Sequence, residues 1–307
     1  ITQFARILAE LQQAQASAER LVSLLDTKAE IFDSEEVKEK YGDYLNFKKE
    51  NWEKIVGKIE FRHVSFHYQN AEEILTEFNL TVYPGQTIAL VGETGAGKST
   101  IVNLICRFFE PTAGEILIDD INYKERSLGW LHSNLGYVLQ SPHLFSGTIK
   151  DNIRYGKLDA TDEEIIAAAK LVNAHDFITG FEEGYETDVG EGGDRLSTGQ
   201  KQLISFARAI IANPSLFVLD EATSSIDTET EQKIQRAISK ILQGRTSFII
   251  AHRLSTIVKS DLILVIKDGK IKESGNHTEL IAQKGYYYSL YTNQFIEEKT
   301  KDSLKSN

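Results

Sequence analysis

Hydrophobic and polar residues follow two different periods along this chain, and the periods predict its elements. Residues 1–26 carry apolar side chains at intervals of three and four, broken only at Gln15, which predicts one amphipathic helix. The continuous apolar runs 88–91 and 216–219 are typical of strands buried on both faces. Strands are predicted to begin at Ile59 and to cover residues 75–82, 88–91, 114–118, 135–139, 216–219, 247–250 and 262–266.

Helical patterns separate these strands. Thr161 and Thr228 each stand three residues before a glutamate, which predicts a capping box and a helix start at both places. Alternating strands and helices predict a three-layer α/β core, in which the helical block at about 145–212 forms a second lobe. Asp268-Gly269 predicts a tight hairpin. Further helices are predicted directly after residue 99 and over 200–212, 278–284 and 286–298.

The first 54 residues differ from the rest of the chain. The apolar stripe of the helix over residues 1–26 must bury against something, either the chain's own domain or a partner from which the helix has been separated. Residues 27–54 are charged and aromatic, and they predict a solvated linker. The chain contains no Met and starts inside a helical pattern, so we expect it to be a piece of a longer protein.

Composition indicates an ordinary soluble globular chain and argues against some classes of partner. Of 307 residues, 41% are hydrophobic and 26% are charged. No apolar run is long enough to predict a membrane-spanning helix. The net charge of −11 argues against a nucleic-acid partner, which usually meets a basic surface. The single cysteine, Cys106, excludes an internal disulfide and is expected to fill the core.

The stretch Gly92–Ser99 fits the pattern G-x-x-x-x-G-K-[ST] between an apolar run and a predicted helix, which is the context of a phosphate-binding loop. Glycines let backbone N–H groups turn inward without Cβ clashes, and a helix N-terminus attracts phosphate oxygens. Lys98 adds a positive charge for the outer phosphates, and the Ser99 hydroxyl is placed for Mg²⁺. The loop therefore predicts that the chain binds a nucleoside triphosphate.

A carboxylate pair, Asp220-Glu221, ends the buried run 216–219. Ligands of open α/β sheets bind beyond the carboxyl ends of the strands, so Asp220 suits Mg²⁺ and Glu221 suits removal of a proton from an attacking water. His252 follows another predicted strand and is placed to donate a hydrogen bond to the terminal phosphate. Gln140 also follows a strand, and its amide oxygen suits Mg²⁺ or water.

A second anion-binding device lies at Leu196–Gln200, which combines a hydroxyl, a glycine and a helix N-terminus. One chain thus carries two phosphate-binding ends, one in each lobe. The second end need not serve the nucleotide that the first end binds.

In their order, these motifs resemble the nucleotide-binding domain of an ATP-binding cassette (ABC) transporter, and specifically an exporter of the multidrug or lipid type. The resemblance covers about residues 55–290 and rests on the phosphate loop, Gln140, Leu196–Gln200, Asp220-Glu221 and His252. It implies an α/β fold of the P-loop NTPase, RecA-like type: a mainly parallel sheet core, an antiparallel β subdomain and an inserted α-helical subdomain. It also implies an ATPase that powers substrate export.

The resemblance assigns roles in nucleotide binding. Tyr68 matches the aromatic residue that stacks on adenine, and Gln140 matches the loop that meets the membrane domain and senses Mg²⁺. Ser197 and Gly199 match the signature that contacts the γ-phosphate bound by the opposite subunit. The implied ATP-binding residues are Tyr68, Gly92, Glu93, Thr94, Gly95, Ala96, Gly97, Lys98, Ser99, Thr100, Gln140, Ser197, Gly199 and Gln200.

The resemblance also assigns roles in hydrolysis and coupling. The implied catalytic residues are Lys98, Glu221 as the base and the switch histidine His252. Glu191 matches the loop that contacts the coupling helices of the membrane domain, and Ser224–Asp227 matches the loop that crosses the dimer interface. The implied Mg²⁺ ligands are Ser99, Gln140 and Asp220.

The implied assembly is a head-to-tail dimer of two such domains, identical or different, attached to a membrane domain. Residues 1–54 then resemble the cytoplasmic extension of the last transmembrane helix with its linker, and residues 55–300 resemble the nucleotide-binding domain. This places the chain, itself soluble, at the cytoplasmic face of the cell membrane. The cargo would bind in the membrane part, so these residues do not identify it.

Two departures from the family pattern and two rival classes remain. Thr198 stands where glycine is commonest, and Ser225-Ile226 stands where Ala-Leu is usual, but neither change removes a catalytic group. A soluble cassette ATPase of DNA repair or translation shares the loop and the carboxylates, although it usually carries a coiled-coil insertion or a second cassette. A regulatory subunit without turnover would most often lack Glu221 or His252, and both are present.

Overall fold

The computed structural model describes residues 2–27, 29–69, 72–220, 228–251 and 254–293, with the backbone alone at 228 and 229. The chain divides into two compact units, Ile1–Phe32 and Asp33–Asn307. The first unit contains the helix α1, Thr2–Asp26, which confirms the helix predicted for this region. No residue of α1 is buried, and Phe4 is 69% exposed. Among the described helices, none combines the length and apolarity needed to cross a membrane.

The second unit does not begin where the sequence suggested. The solvated linker predicted for residues 27–54 is wrong from Asp33 onward, because Asp33 lies inside the compact unit. Its carboxylate accepts hydrogen bonds from the buried Arg107 guanidinium at 3.2 Å and from the Leu128 backbone N–H at 3.1 Å. A helix follows, α2, Glu35–Tyr41, which buries Val37 and Tyr41.

The charge of this segment misled the prediction because much of it is paired. The Glu53 carboxylate lies 3.4 Å from the Arg126 guanidinium, and the Glu53 carbonyl accepts the indole N–H of buried Trp130 at 2.7 Å. Phe47 and Trp52 pack ring against ring with centroids 5.5 Å apart. Paired charges and aromatic contacts thus hold residues 33–54 on the domain.

The strands of the second unit are two to ten residues long and form separate sheets. They are β1 Gly42–Asp43, β2 Asn46–Phe47, β3 Ile59–His67, β4 Glu73–Val82, β5 Thr87–Val91, β6 Ala113–Ile118, β7 Ile121–Asn122, β8 Leu135–Val138, β9 Leu216–Asp220, β10 Thr246–Ile250, β11 Leu262–Lys267 and β12 Lys270–Gly275. Within the described residues, the order β12-β11-β5-β10-β9-β8 forms a six-stranded sheet, β4-β3-β6-β7 forms a four-stranded sheet, and β1 pairs with β2.

The six-stranded sheet is parallel except at one edge, where the hairpin predicted from Asp268-Gly269 joins β11 to antiparallel β12. The four-stranded sheet is antiparallel. In β3 the side-chain alternation slips after Phe61, and the structure shows the cause: the pairing register of β3 with β4 shifts between Phe61 and Val64. An irregular strand of this kind bends and turns its side chains to the other face.

Helices connect the strands, and most of the larger ones begin near their predicted starts. They are α3 Lys98–Ile105, α4 Leu128–Ser133, α5 Ile149–Arg154, α6 Asp162–Leu171, α7 His175–Thr179, α8 Thr198–Ile210, α9 Thr228–Leu242, α10 Leu254–Val258 and α11 His277–Gln283, with residues 286–293 helical as well. The capping box predicted at Thr161 is present at the start of α6. The block α5–α8 lies between β8 and β9, as the predicted helical insertion requires.

Alternate residues of the central strands enter two different hydrophobic clusters. In β9, for example, Phe217 and Leu219 belong to one cluster and Leu216 and Val218 to the other. Helix α8 and the helical block pack in the first cluster, whereas α3 packs in the second. The helix after the phosphate loop and the helix after the signature therefore cover opposite faces of the sheet. Cys106 is fully buried, and burial raises the pKa of its thiol, as expected of a residue that fills the core.

Candidate nucleotide-binding site

The loop Gly92–Ser99 joins β5 to α3 in a conformation that only glycines adopt easily. Gly92 has a φ of 153°, and a Cβ there would lie 2.2 Å from the Ile266 carbonyl oxygen. Gly95 and Gly97 have φ values of 83° and 104°. The backbone therefore turns tightly between strand and helix without steric strain, as a phosphate cradle must.

Lys98 folds back over this loop. Its ammonium donates hydrogen bonds to the carbonyl oxygens of Gly92 at 2.7 Å and Glu93 at 2.8 Å, and the residue is only 8% exposed. Burial lowers the pKa of the Lys98 ammonium, and the carboxylate of Asp220 opposes this shift. An ammonium has three N–H donors, so Lys98 can keep its two hydrogen bonds to the loop carbonyl oxygens while its third N–H binds a phosphate oxygen.

The first turn of α3 is open. Gly97 is its N-cap residue, and within the described part of the chain no side chain caps the helix. The first N–H groups of a helix have no partner inside the helix and carry the positive end of its dipole. Ser99 is exposed in this turn, and Lys98 adds its charge. This helix start is therefore suited to bind an anion.

The register of the parallel strands brings the other predicted residues to the same edge of the sheet. One row across β8, β9, β10 and β5 consists of Val138, Leu219, Ile249 and Ala89. Just beyond this row, the chain reaches Gln140, Asp220 and the loop at Gly92. The phosphate loop, a carboxylate and an amide thus lie at the same edge of the sheet, the edge at which open α/β sheets bind ligands.

Three residues at this edge carry oxygen atoms of the kind that binds Mg²⁺ together with a nucleotide. Ser99 offers an exposed hydroxyl, Asp220 a half-buried carboxylate and Gln140 an exposed amide. Mg²⁺ usually keeps several waters and takes one or two carboxylates together with phosphate oxygens. Among the described residues, this edge included, no group of three or more His, Cys, Asp or Glu side chains could hold a metal ion.

The chain is similar in sequence to known proteins. Residues 75–224 match the family model described as ABC transporter. The chain is 50% identical over 282 residues to the uncharacterised ABC transporter ATP-binding protein YfiC of Bacillus subtilis (strain 168), a match that covers 92% of the chain and 45% of that protein. It is 43% identical over 297 residues to an ATP-dependent lipid A-core flippase of Syntrophus aciditrophicus (strain SB), covering 97% and 47%.

A solved structure agrees in fold as well. It is a bacterial Atm1-family ABC exporter with ATP bound, which matches with a TM-score of 0.80 and 37% identity over 92% of this chain and 48% of that one. The chain belongs to the ABC transporter ATP-binding family. It spans just under half the length of each of these relatives.

Membership in the ABC family confirms the predicted α/β fold of the P-loop NTPase type and the predicted ATP-binding domain of the ABC type. The roles of single residues remain predictions. Glu221, His252 and Ser224–Asp227 lie outside the described residues. The strands β9 and β10, which lead to Glu221 and His252, end at the edge that carries the loop.

Tyr68, the predicted adenine-stacking residue of this ABC domain, directly follows β3 and is half-buried. Its ring packs edge-on against Phe66 and Phe109, with centroids 4.9 and 5.0 Å away. Its hydroxyl lies 3.3 Å from the Thr100 hydroxyl in the first turn of α3. The tyrosine is thus fixed beside the phosphate loop, which agrees with the predicted role without testing it.

The predicted ABC signature forms a capped helix start. Ser197 is the N-cap residue of α8: its hydroxyl accepts the Gln200 N–H at 3.3 Å, and its own N–H donates to the Gln200 side-chain oxygen at 2.9 Å. This capping box starts the helix at Thr198, two residues before the predicted start. Glu191 is exposed in a short 3₁₀ turn, Glu191–Gly193, and its role in coupling stays a prediction.

Two hydrogen bonds to the phosphate loop were not predicted from the sequence. The Gly269 N–H donates to the Ala96 carbonyl at 3.2 Å, and the Tyr286 hydroxyl donates to the Glu93 carboxylate at 2.6 Å. The Asp268-Gly269 hairpin signal marked the first partner as a turn, but nothing in the sequence related it to the loop. No local sequence signal pointed to Tyr286.

Proposed function

We propose that two chains of this kind bind two ATP molecules head to tail and drive export through membrane domains attached to them. In this proposal each phosphate loop faces the signature helix of the other chain. Closure of the dimer would draw the attached membrane helices together, and hydrolysis would release them.

One observation carries the proposal: α3 and α8 pack on opposite faces of the same sheet. The open helix start at Gly97 and the signature at Ser197 are therefore the ends of two separate devices. A second chain, turned head to tail, supplies the missing wall for each site. Symmetric pairs of this type are the commonest protein assemblies.

The proposed site uses the residues at the sheet edge. Lys98 binds the outer phosphates, Tyr68 stacks on adenine, and the Ser99, Gln140 and Asp220 oxygens hold Mg²⁺, which neutralises charge on the phosphates. The loop residues Glu93, Thr94, Gly95, Ala96, Gly97 and Thr100 complete the cradle, to which Glu93 contributes its backbone alone. From the partner chain, Ser197, Gly199 and Gln200 contact the γ-phosphate.

Hydrolysis in this proposal depends on two residues that follow central strands. Glu221 removes a proton from the attacking water, and His252 donates a hydrogen bond as negative charge develops on the terminal phosphate.

The proposed membrane partner contacts the surface around Gln140. Leu139 and Phe145, which flank this stretch, are 53% and 42% exposed. Large exposed apolar side chains near a polar loop favour a binding surface. We place this surface, with Glu191, against the coupling helices of the membrane domain, and the chain at the cytoplasmic face of the membrane. Residues 1–54 then form the extension of the last transmembrane helix with its linker, and residues 33–54 of this linker belong to the same compact unit as the nucleotide-binding domain proposed to begin at residue 55.

The variant Glu221→Gln tests the proposed hydrolysis. Loss of a general base typically lowers a rate by about 10²–10⁴-fold, whereas ATP binding needs no base. We expect turnover to fall by this amount, binding of ATP to persist, and ATP with Mg²⁺ to trap a dimer that light scattering detects. Hydrolysis at the wild-type rate would show that Glu221 is not the base, and a monomer at every ATP concentration would contradict the dimer.

A further inference from the structure

A tyrosine from the C-terminal part of the chain holds an acidic side chain of the phosphate loop. The Tyr286 hydroxyl donates to Glu93 Oε1 at 2.6 Å, although the two residues are 193 positions apart. Glu93 is exposed and directly follows the first glycine of the loop. Its carbonyl oxygen is one of the two that Lys98 binds. Tyr286 therefore contacts the loop at the residue next to its point of entry.

The position of Tyr286 is fixed from three sides. The Glu273 carboxylate of β12 accepts the backbone N–H groups of Tyr286 at 2.5 Å and Tyr287 at 2.8 Å, which anchors the start of the helical residues 286–293. A side chain at Gly285 would collide with this carboxylate, since its Cβ would lie 2.3 Å from Glu273 Oε1. The Lys267 ammonium lies 5.1 Å from the centre of the Tyr286 ring.

The same part of the chain touches the loop a second time. The Gly269 N–H, in the turn between β11 and β12, donates to the Ala96 carbonyl at 3.2 Å. Gly269 has a φ of 70°, and a Cβ there would collide with the Ile74 carbonyl oxygen. The hairpin and the helical residues after it thus brace the loop at Glu93 and at Ala96.

In a loop that binds a triphosphate, the negative charge of the Glu93 carboxylate weakens binding, because like charges repel across short distances. The hydrogen bond to Tyr286 fixes this carboxylate, and the Lys267 ammonium lies over the ring of the same tyrosine. Sharing its proton with Glu93 raises the pKa of Tyr286 to about 12, so the phenol remains a donor at neutral pH.

We propose that Tyr286 is a positioning residue for ATP binding, which holds the Glu93 carboxylate away from the bound phosphates. The inference rests on the proposed ATP site and adds to it a contribution from the C-terminal segment. Tyr286 touches no nucleotide in this account and acts only through Glu93.

The test compares binding of a fluorescent ATP analogue with Mg²⁺ to the whole chain and to three variants. Tyr286→Phe removes the hydroxyl and keeps the ring over which Lys267 lies. We expect its dissociation constant to rise about five-fold, which corresponds to the net contribution of one typical protein hydrogen bond. Adding Glu93→Gln to this variant removes the charge and should restore wild-type affinity. Tyr288→Phe, on the same helical stretch and 37% exposed, is the matched control and should change nothing.

Salt provides the second readout. Exposed charges are screened within about 3 Å at 1 M salt, so the defect of Tyr286→Phe should shrink below about two-fold there. A merely structural role for Tyr286 predicts no rescue by Glu93→Gln and no effect of salt, and either finding would overturn the inference. Equal affinity of Tyr286→Phe and wild type would do the same. If the wild-type chain itself fails to bind the analogue, the proposed ATP site is wrong and the inference falls with it.

Discussion

Two helix starts in this chain look alike in sequence and differ in structure. Both follow a stretch with glycine and hydroxyl side chains, and both precede an apolar helix. At α3 the N-cap residue is Gly97, and the described part of the chain provides no side-chain cap. At α8 the N-cap residue is Ser197, which forms a complete capping box with Gln200. The start of α3 is therefore open to a ligand, whereas the start of α8 is closed by the side chains of Ser197 and Gln200.

The difference indicates which of the two helix starts binds the nucleotide first. The open N–H groups of α3, next to the Lys98 ammonium, supply intrinsic affinity for phosphate. The N–H groups of Ser197 and Gln200 already have partners, so α8 gains less from a free anion. We therefore expect ATP to bind the loop of a single chain, and the signature to contribute only when another chain docks.

Removing the charge at the open start should have the largest effect. Lys98→Ala deletes the cation beside the phosphates and removes the hydrogen bonds of its ammonium to the carbonyl oxygens of Gly92 and Glu93, of which Glu93 keeps the Ala96 N–H at 3.2 Å. Loss of a preorganised charge at a reacting phosphate typically costs about 10²–10³-fold in rate, and we expect at least this loss of ATP hydrolysis together with weaker ATP binding. Titration of the purified chain with ATP and a phosphate-release assay measure both.

Lys124→Ala is the matched control for this prediction. Lys124 is a surface lysine paired with Glu110 at 2.8 Å, away from the loop. The control should bind and hydrolyse ATP like the wild type. Normal affinity in Lys98→Ala would mean that the open helix start, without the lysine, accounts for phosphate binding.

Altering the closed start should have a smaller and more selective effect. Ser197→Ala removes the cap of α8, which costs about 1 kcal/mol of folding stability, as helix caps generally do. We also expect hydrolysis at high protein concentration to fall about ten-fold, while ATP binding to the single chain stays unchanged, because in the proposed dimer the signature contacts only the partner's nucleotide.

Thr161→Ala separates these two effects. Thr161 caps α6 with the same kind of capping box, in the same helical block. The control should lose comparable stability in thermal unfolding and keep its ATPase rate. If Ser197→Ala and Thr161→Ala lose activity equally, the effect at Ser197 is one of stability, and the signature has no special role.

The same two helix starts show which structural features can be predicted from the sequence. The glycine pattern and its flanking apolar runs were sufficient to place the loop between a buried strand and a helix, because both features are local. The pattern Ser197-x-x-Gln200 is also a local capping-box signal, and it was interpreted only as an anion site. The strand order and the placing of α3 and α8 on opposite faces depend on pairing between distant segments, which no local pattern encodes.

Contacts between distant residues account for the remaining failures. The segment after Asp33 has the composition of a linker, yet its charges pair with the buried Arg107 and with Arg126. The contact of Tyr286 with Glu93 joins residues 193 positions apart. Composition predicts the structure of a segment in isolation. Contacts with distant residues decide whether that segment packs on the domain.

The most direct test of the central claim, that each ATP site is built from two chains, mixes two inactive variants. Lys98→Ala damages the loop, and Ser197→Arg blocks the signature with a bulky charge. In a head-to-tail dimer of one chain of each kind, one site combines an intact loop with an intact signature. With random pairing, half of the dimers are mixed and each has one intact site of two, so about a quarter of the wild-type ATPase rate should return. No recovery at any mixing ratio, or a Ser197→Arg chain that is fully active alone, would contradict the account.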